Sequence, residues 1–247
     1  MRSMIRIMTV GIVLAASVPH AAAQGVFDMG VLTNTVSIPR GASAPARTAR
    51  SVYSPGERAI SVLPNAFGRG AAPAGAARLS YSSTPALRRQ ALDGYLARAS
   101  RQYPEAARVM SAQFAKHDYA AVYRSLIGGT GLRDNDAADA VTAYTVLGWQ
   151  IANGYTDNLP PARIVAARRQ IAAALAANPQ LSSPATRPAL GEEMKLLMVT
   201  LHAGWQSAQR EGNLSRYADG VARLFRTQSG RDLRSLTLTD AGFSRKG

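Results

Sequence analysis

The stretch from Asn135 to Tyr155 most constrains the fold, because its spacing is that of a helix with apolar side chains on two opposite sides. At about 100° per residue, one side carries Ala137, Ala140, Val141, Tyr144, Leu147, Gly148, Ile151 and Ala152. The opposite side carries Thr142, Val146, Trp149 and Asn153. A helix with apolar residues on both sides usually lies inside a bundle. The sequence therefore predicts a central helix, with Asn135 as its N-cap and Gly154 as its closing residue.

The apolar composition favours helices over a sheet sandwich. Hydrophobic residues make up 47% of the 247-residue chain and aromatic residues only 6%, because alanine supplies much of the apolar count. Alanine favours closely packed helices, whereas sandwiches are rich in β-branched and aromatic residues. We therefore expect an all-α fold. The absence of cysteine excludes a disulfide framework, a thiol nucleophile and thiolate metal sites.

The first 23 residues have the features of a secretory signal peptide. Arg2 and Arg6 supply the charged start, residues 7–16 form a short apolar run, and three alanines provide a cleavage site near Ala23. The run is shorter than the roughly 20 residues that span a bilayer, and the alternative is an uncleaved anchor. The sequence thus predicts an exported protein, periplasmic or secreted. Loss of the two arginines lowers the net charge from +14 to +12.

Residues 24–83 are predicted to be a disordered, basic leader. Pro, Gly, Ala and Arg are frequent and no helical period persists, so the segment buries too little apolar surface to offset its ordering entropy. Two short β-like pieces, Val31 to Ile38 and Ala59 to Leu63, are candidates to dock on the domain. The leader acts either as a tether or electrostatic arm, or simply as a solvated spacer.

Residues 84–247 are predicted to form a compact bundle of about six to seven helices. Capping, proline and glycine signals place the starts at Thr84, Pro104, Asp118, Asn135, Pro161, Ser183 and Asn213. The longest helix runs from Ser183 to Gly212, with an interruption near Pro188. In the helix that starts at Pro161, Gln170 is predicted to lie away from the inner stripe. The tail is predicted to be a short extended piece docked by Phe243.

A Gly-Trp-Gln triplet occurs twice, at residues 148–150 and 204–206. Glycine inside a helix costs about 1 kcal/mol relative to alanine, so we expect each glycine to let a neighbouring helix approach closely. Trp205 lies within its apolar stripe and is predicted to be core. Trp149 is interpreted as a buried indole with its N–H satisfied. The alternative is a ligand groove lined by Trp149, Gln150, Asn153 and Thr142.

Candidates for catalysis are few. Glu192 and Glu193 could serve a cell-wall glycan hydrolase, in which a carboxylic acid on a helix has its pKa raised by an apolar pocket. In that hypothesis Glu193 borders the apolar stripe and Glu192 points elsewhere. The alternative is that both acids favour the start of a helical segment after Gly191. His117 and His202 lack partners at metal-ligand spacing, so the sequence predicts no metal site and no cofactor.

Several short motifs occur in the order found in a known bacterial family. They are Leu79-Ser-Tyr81 leading to Pro85, Gly131-Leu-Arg-Asp-Asn135 with Ala137 and Asp139, Trp149-Gln150 with Asn153-Gly154, and Leu236-Thr-Leu-Thr leading to Gly242-Phe243. Over about residues 79–247 the chain resembles a family of exported helical proteins defined only as a domain of unknown function. The resemblance implies a helical fold and export. It implies no activity and assigns no catalytic residue.

Charge and compartment together give three functional hypotheses. The first is a non-enzymatic envelope protein that uses its basic surface to bind or scaffold an anionic envelope component or another envelope protein, with peripheral membrane contact as one form. Export argues against nucleic acid as the partner. The second is the glycan hydrolase, and the third is a small-ligand carrier with a groove beside Trp149.

Overall fold

The computed structural model describes residues 55–63, 66–67 and 78–247, and helices dominate these ranges. In chain order the elements are α1 (Pro55–Val62), α2 (Pro85–Gln102), α3 (Pro104–Lys116), α4 (Tyr119–Ile127), α5 (Ala137–Ala152), α6 (Pro161–Ala176), α7 (Pro179–Ser182), α8 (Arg187–Arg210), α9 (Leu214–Ser229), β1 (Leu236–Thr239) and β2 (Gly242–Arg245). The predicted all-α class is confirmed. The predicted signal peptide, its cleavage near Ala23 and the Val31 to Ile38 piece lie outside the described residues.

Helix α5 is the centre of the bundle, as predicted. Every one of its residues except Gln150 is buried, and it packs against α6, α8 and α9. Its predicted N-cap is wrong by one residue, because Asp136 accepts hydrogen bonds from the Ala138 and Asp139 backbone N–H groups. The Asn135 side chain instead accepts a hydrogen bond from Lys195 at 3.1 Å. Gly154 follows the helix with φ of +64°, the left-handed conformation expected of its closing residue.

Both glycines of the Gly-Trp-Gln triplets face an aromatic ring of α9. A Cβ atom at Gly148 would overlap the Phe225 ring, and one at Gly204 would overlap the Tyr217 ring. The predicted close approach of a neighbouring helix is therefore confirmed. Trp149 is buried, whereas Trp205 is only half-buried at the edge of the core.

Helix α8 starts later than predicted. The segment 179–182 forms the separate short helix α7, and α8 begins at Arg187 rather than at Ser183. Pro188 does not interrupt the helix, because it lies in the first turn. Backbone N–H groups there have no acceptor within the helix, so the N–H that proline lacks costs no hydrogen bond. Together with α1, the short α7 raises the number of helices in the described ranges above the predicted six to seven.

Helix α1 lies inside the segment predicted to be leader. It docks on the bundle against α8 and α9, and Ala59, Ile60 and Leu63 are fully buried. The docking of this piece was predicted, but its conformation is helical rather than extended. Ala59, Ile60 and Leu63, which directly follows the helix, are spaced i, i+1 and i+4, which is one face of a helix. Leu79 is also buried, so the folded core includes residues before the predicted boundary at 84.

The chain ends in a β-hairpin that confirms the predicted extended tail. Strands β1 and β2 pair antiparallel, with Leu238 opposite Phe243. Phe243 is buried and meets the Phe67 ring edge-on at 5.2 Å. The Gln170 side chain of α6 pairs with the hairpin backbone, since its Oε1 accepts from the Phe243 N–H at 2.7 Å and its Nε2 donates to the Phe243 carbonyl at 3.2 Å. The prediction that Gln170 lies away from the core is therefore wrong.

None of the helices within the described ranges combines the length and apolar character that a membrane span requires.

Candidate functional site

Glu192 is the centre of a buried polar cluster. Its carboxylate is fully buried in α8 and accepts hydrogen bonds from the Tyr81 hydroxyl at 2.9 Å and the Tyr119 hydroxyl at 2.6 Å. Gly191 makes this possible, because a Cβ atom there would overlap the Tyr81 ring. The prediction that Glu192 points away from the core is wrong. The alternative that Glu192 and Glu193 start a helical segment is also wrong, since α8 begins at Arg187.

Lys195 neutralises this carboxylate from within the same helix. Its ammonium is fully buried and lies 3.2 Å from Glu192 Oε1 and 2.8 Å from Asp134 Oδ1. The Tyr81 and Tyr123 rings lie 5.3 and 5.5 Å from the ammonium, within cation–π range. The sequence patterns considered above do not reveal this site. The available signal was a lysine between two buried apolar residues of α8, three positions after Glu192.

A second buried charge group stands at the start of α5. Arg168 of α6 forms an ion pair with Asp139, and its guanidinium lies 3.5 Å from Asp136. Asp139 also accepts a hydrogen bond from the Arg133 N–H at 2.8 Å, and Asp136 caps the helix. These carboxylates lie at the positive end of the α5 dipole, which stabilises negative charge.

Glu193 joins the docked helix α1 to the bundle. Its Oε2 accepts a hydrogen bond from the Gly56 N–H at 2.9 Å, close to the first residue of α1. Its Oε1 pairs with the half-exposed guanidinium of Arg98 from α2. A single carboxylate thereby satisfies an N-terminal N–H group of α1 and links that helix to α2 and α8.

Tyr81 and Tyr119 act as hydrogen-bond donors. Burial raises the pKa of Tyr81 and of Tyr119, and the neighbouring Glu192 carboxylate raises both further. Both phenols are therefore neutral at physiological pH and donate to Glu192. Burial likewise raises the pKa of Tyr123, with Asp139 and Asp134 adding to the effect. Its hydroxyl has no hydrogen-bond partner among the described residues.

This geometry gives no support to acid catalysis by Glu192 or Glu193. A general acid in glycan cleavage needs a protonated carboxyl group within reach of the leaving oxygen. Glu192 is sealed from solvent, with both oxygens bonded to tyrosine hydroxyls and one of them also to Lys195. Glu193 has both oxygens engaged by Gly56 and Arg98. In these contacts both groups act as acceptors that hold helices together.

The residues proposed to line a ligand groove form hydrogen bonds within the protein, and Trp149 and Asn153 bind the backbone of the segment 233–236. Trp149 is buried, and its Nε1 donates to the Leu236 carbonyl at 2.9 Å, which confirms the buried indole with a satisfied N–H. Thr142 is fully buried and donates to Ala138 within its own helix. The Asn153 amide donates to the Trp149 and Leu233 carbonyls, and the half-buried Gln150 donates to the Asp157 carbonyl. The protein itself thus occupies the polar groups that the groove hypothesis assigns to a ligand.

One histidine, His202, packs against an aromatic ring outside these clusters. His202 is half-buried on α8 and faces the Trp205 ring edge-on, with ring centres 6.1 Å apart. Burial lowers its pKa to about 4, so it is neutral at physiological pH. Within residues 55–63, 66–67 and 78–247, no group of three or more His, Asp or Glu side chains is arranged to hold a metal ion.

Most of the remaining charge is basic and on the surface. Residues 78–247 contain 22 Lys and Arg against 13 Asp and Glu. Burial removes four acids and two bases from the surface, namely Asp136, Asp139, Glu192, Glu193, Arg168 and Lys195. That leaves 20 basic against nine acidic side chains outside the core. Folding thus gives this part of the chain a more basic surface than its sequence composition alone.

Comparison with protein-family models, with curated proteins and with solved structures gives no match to this chain. The resemblance to an exported helical family therefore stays a prediction.

Proposed function

We propose that this protein is an exported, non-enzymatic protein of the cell envelope that binds an anionic partner through the basic surface of its helical domain. The observation that carries the proposal is the separation of charge between core and surface. Four of the 13 acids of residues 78–247 are buried, against two of the 22 bases. A surface with this excess attracts polyanions and raises their rate of encounter.

The internal polar chemistry supports a scaffold rather than an enzyme. The strongest candidates for catalytic acids, Glu192 and Glu193, bind tyrosine, lysine, arginine and backbone groups of the protein itself. Buried charges that are fully paired can help to specify one helix arrangement, which is the requirement for presenting a fixed surface. We therefore assign the buried acidic residues to the fold and the exposed, unpaired arginines to the partner.

Cosedimentation with isolated cell wall and with anionic vesicles tests the proposal. We expect binding at low salt and release at high salt, because screening weakens attraction between exposed charges. Binding that does not change with ionic strength would contradict an electrostatic mechanism. The absence of binding to either material would overturn the proposal.

A double variant separates binding from hydrolysis. Glu192→Gln with Glu193→Gln removes both candidate acids, and release of soluble fragments from cell wall is the readout. We expect the wild-type protein and this variant to release the same background amount. Circular dichroism establishes that the variant folds, and release by the wild type that the folded variant lacks would favour the hydrolase instead.

A further inference from the structure

The outer face of α9 carries a row of arginines. Arg216, Arg223 and Arg226 are exposed and recur at i, i+7 and i+10, while Tyr217 and Phe225 are buried on the opposite side. Arg216 and Arg223 have no acidic partner among the residues that the structure describes, whereas Arg226 pairs with Asp232. Two turns separate Arg216 from Arg223, a distance of roughly 10 Å along the helix.

The turn that follows α9 and the end of the hairpin, which bonds to that turn through the Lys246 N–H and the Ser235 carbonyl, add cations beside this row. Arg234 pairs with Asp219 of α9 at 2.6 Å and donates to the Ala152 carbonyl at the end of α5 at 2.8 Å. Lys246 donates to Asn153, the next residue along the chain, at 3.0 Å. We call these five side chains the C-terminal basic face: Arg216, Arg223, Arg226, Arg234 and Lys246. Asp219 and Asp232 hold two of them in place and leave the face positive.

The layout of the C-terminal basic face limits what it can bind. Its cations lie on α9, on the turn at residues 233–235 and just after β2, so they spread over an area rather than along one line. The aromatic side chains of α9 are buried, so the helix offers no exposed ring on which a nucleic acid base could stack. Guanidinium groups donate two parallel hydrogen bonds to a phosphate, which suits a plane of phosphate headgroups.

We infer that the C-terminal basic face docks on an anionic phospholipid bilayer, with Arg216 and Arg223 as its main headgroup contacts. This inference rests on the proposed function and names the partner and the face. No exposed apolar wedge on α9 is required, so the contact is peripheral, electrostatic and reversible by salt.

Vesicle partitioning of two charge-matched variants tests the inference. The protein is a chain that begins at Gln24 and so contains every described residue. Arg216→Gln with Arg223→Gln alters the C-terminal basic face, and Arg89→Gln with Arg101→Gln removes two exposed arginines of α2 as the control. Circular dichroism establishes that both variants fold.

On phosphatidylglycerol vesicles at low salt we expect the α9 variant to bind about 30-fold more weakly than wild type. The α2 variant should stay within about threefold of wild type, and phosphatidylcholine vesicles should bind none of the proteins.

Other outcomes overturn the inference in distinguishable ways. Equal losses in both variants would mean that net charge, rather than this face, drives binding, and the proposed function would stand. In a third variant, Arg40, Arg47 and Arg50 are changed to Gln. If this variant loses affinity and the α9 and α2 variants do not, binding belongs to the predicted leader. Binding to isolated cell wall or to duplex DNA without binding to phosphatidylglycerol vesicles would replace the bilayer as partner. Failure to bind any of these anionic materials would overturn the proposed function as well.

Discussion

Glycine at positions 148 and 204 sets how closely α9 approaches α5 and α8. The Phe225 ring occupies the space where a side chain at 148 would begin, and the Tyr217 ring does so at 204. Tyr217 then donates its hydroxyl to the Leu201 carbonyl at 2.8 Å. Each glycine lowers helix stability relative to alanine, and this loss is offset by an aromatic contact that no larger residue permits.

We expect Gly148→Ala to destabilise the protein by about 1–3 kcal/mol, because the added methyl group overpacks the site against Phe225. Gly94 in α2 is the matched control, since a Cβ atom there would meet only the end of the Arg98 side chain at 3.6 Å. Gly94→Ala should stabilise by roughly 0.5–1 kcal/mol through helix propensity. Urea unfolding measures both, and equal effects of the two substitutions would contradict the close packing.

His202 makes stability depend on pH. Its pKa is lowered to about 4 by burial, from 6.5. Between these values the unfolded chain binds a proton that the folded chain excludes, so stability falls as pH falls through this window. We expect wild type to lose about 2 kcal/mol more than His202→Gln between pH 7 and pH 5 in urea unfolding. The carboxylates and the other histidines are common to both chains, so their contributions to the pH dependence cancel in the difference between wild type and variant. An equal loss in both would contradict the assignment.

Sequence patterns predict which side of a helix is apolar, but not which polar atom completes a buried contact. The predicted stripe of α5 places Val141 and Tyr144 correctly in the core. Such patterns do not reveal Glu192, because its partners Tyr81 and Tyr119 come from segments distant in the chain. The one-residue error at the α5 cap has the same origin. Asn135 and Asp136 are both good caps, and the contact between Asn135 and Lys195 decides between them.

Among the elements, α1 depends on tertiary contacts for its helical conformation. It has only eight residues, too few for a stable isolated helix. Its order comes from burial of Ile60 and Leu63 against the bundle and from the Glu193 carboxylate that meets its first turn. Composition alone therefore predicts a disordered leader here. It does not show the surface of α8 and α9 on which α1 packs.

We expect Ile60→Ala to lower the free energy of unfolding by about 2–4 kcal/mol, since a fully buried side chain leaves a cavity. Val62, on the same helix, is only partly buried and is the control. Val62→Ala should cost less than about 1 kcal/mol. Hydrogen exchange of the α1 amides should also quicken in the Ile60 variant. If both substitutions have equally small effects, α1 contributes little to the fold.

At the scale of the whole molecule, the buried ionic network links segments that the chain separates widely. Tyr81 precedes α2, Tyr119 and Tyr123 belong to α4, Asp134 precedes α5, and all of them meet Glu192 or Lys195 of α8. Such a network fixes one mutual placement of these segments. Removal of one charge leaves its partner unpaired in the core, which is more harmful than replacement of both.

A double-mutant cycle measures this coupling. Lys195→Met alone should destabilise by about 3–5 kcal/mol, because Glu192 and Asp134 lose their buried cation. Lys195→Met with Glu192→Gln should lose less than the sum of the single changes, with a coupling of roughly 1–3 kcal/mol. The exposed pair Glu105 and Arg108 is the control and should couple by less than about 1 kcal/mol.

Urea unfolding followed by circular dichroism and by tryptophan fluorescence should give coincident transitions, because α5, α8 and the hairpin unfold together. Strict additivity at Lys195 and Glu192, or separate transitions, would show that the network does not unite the bundle.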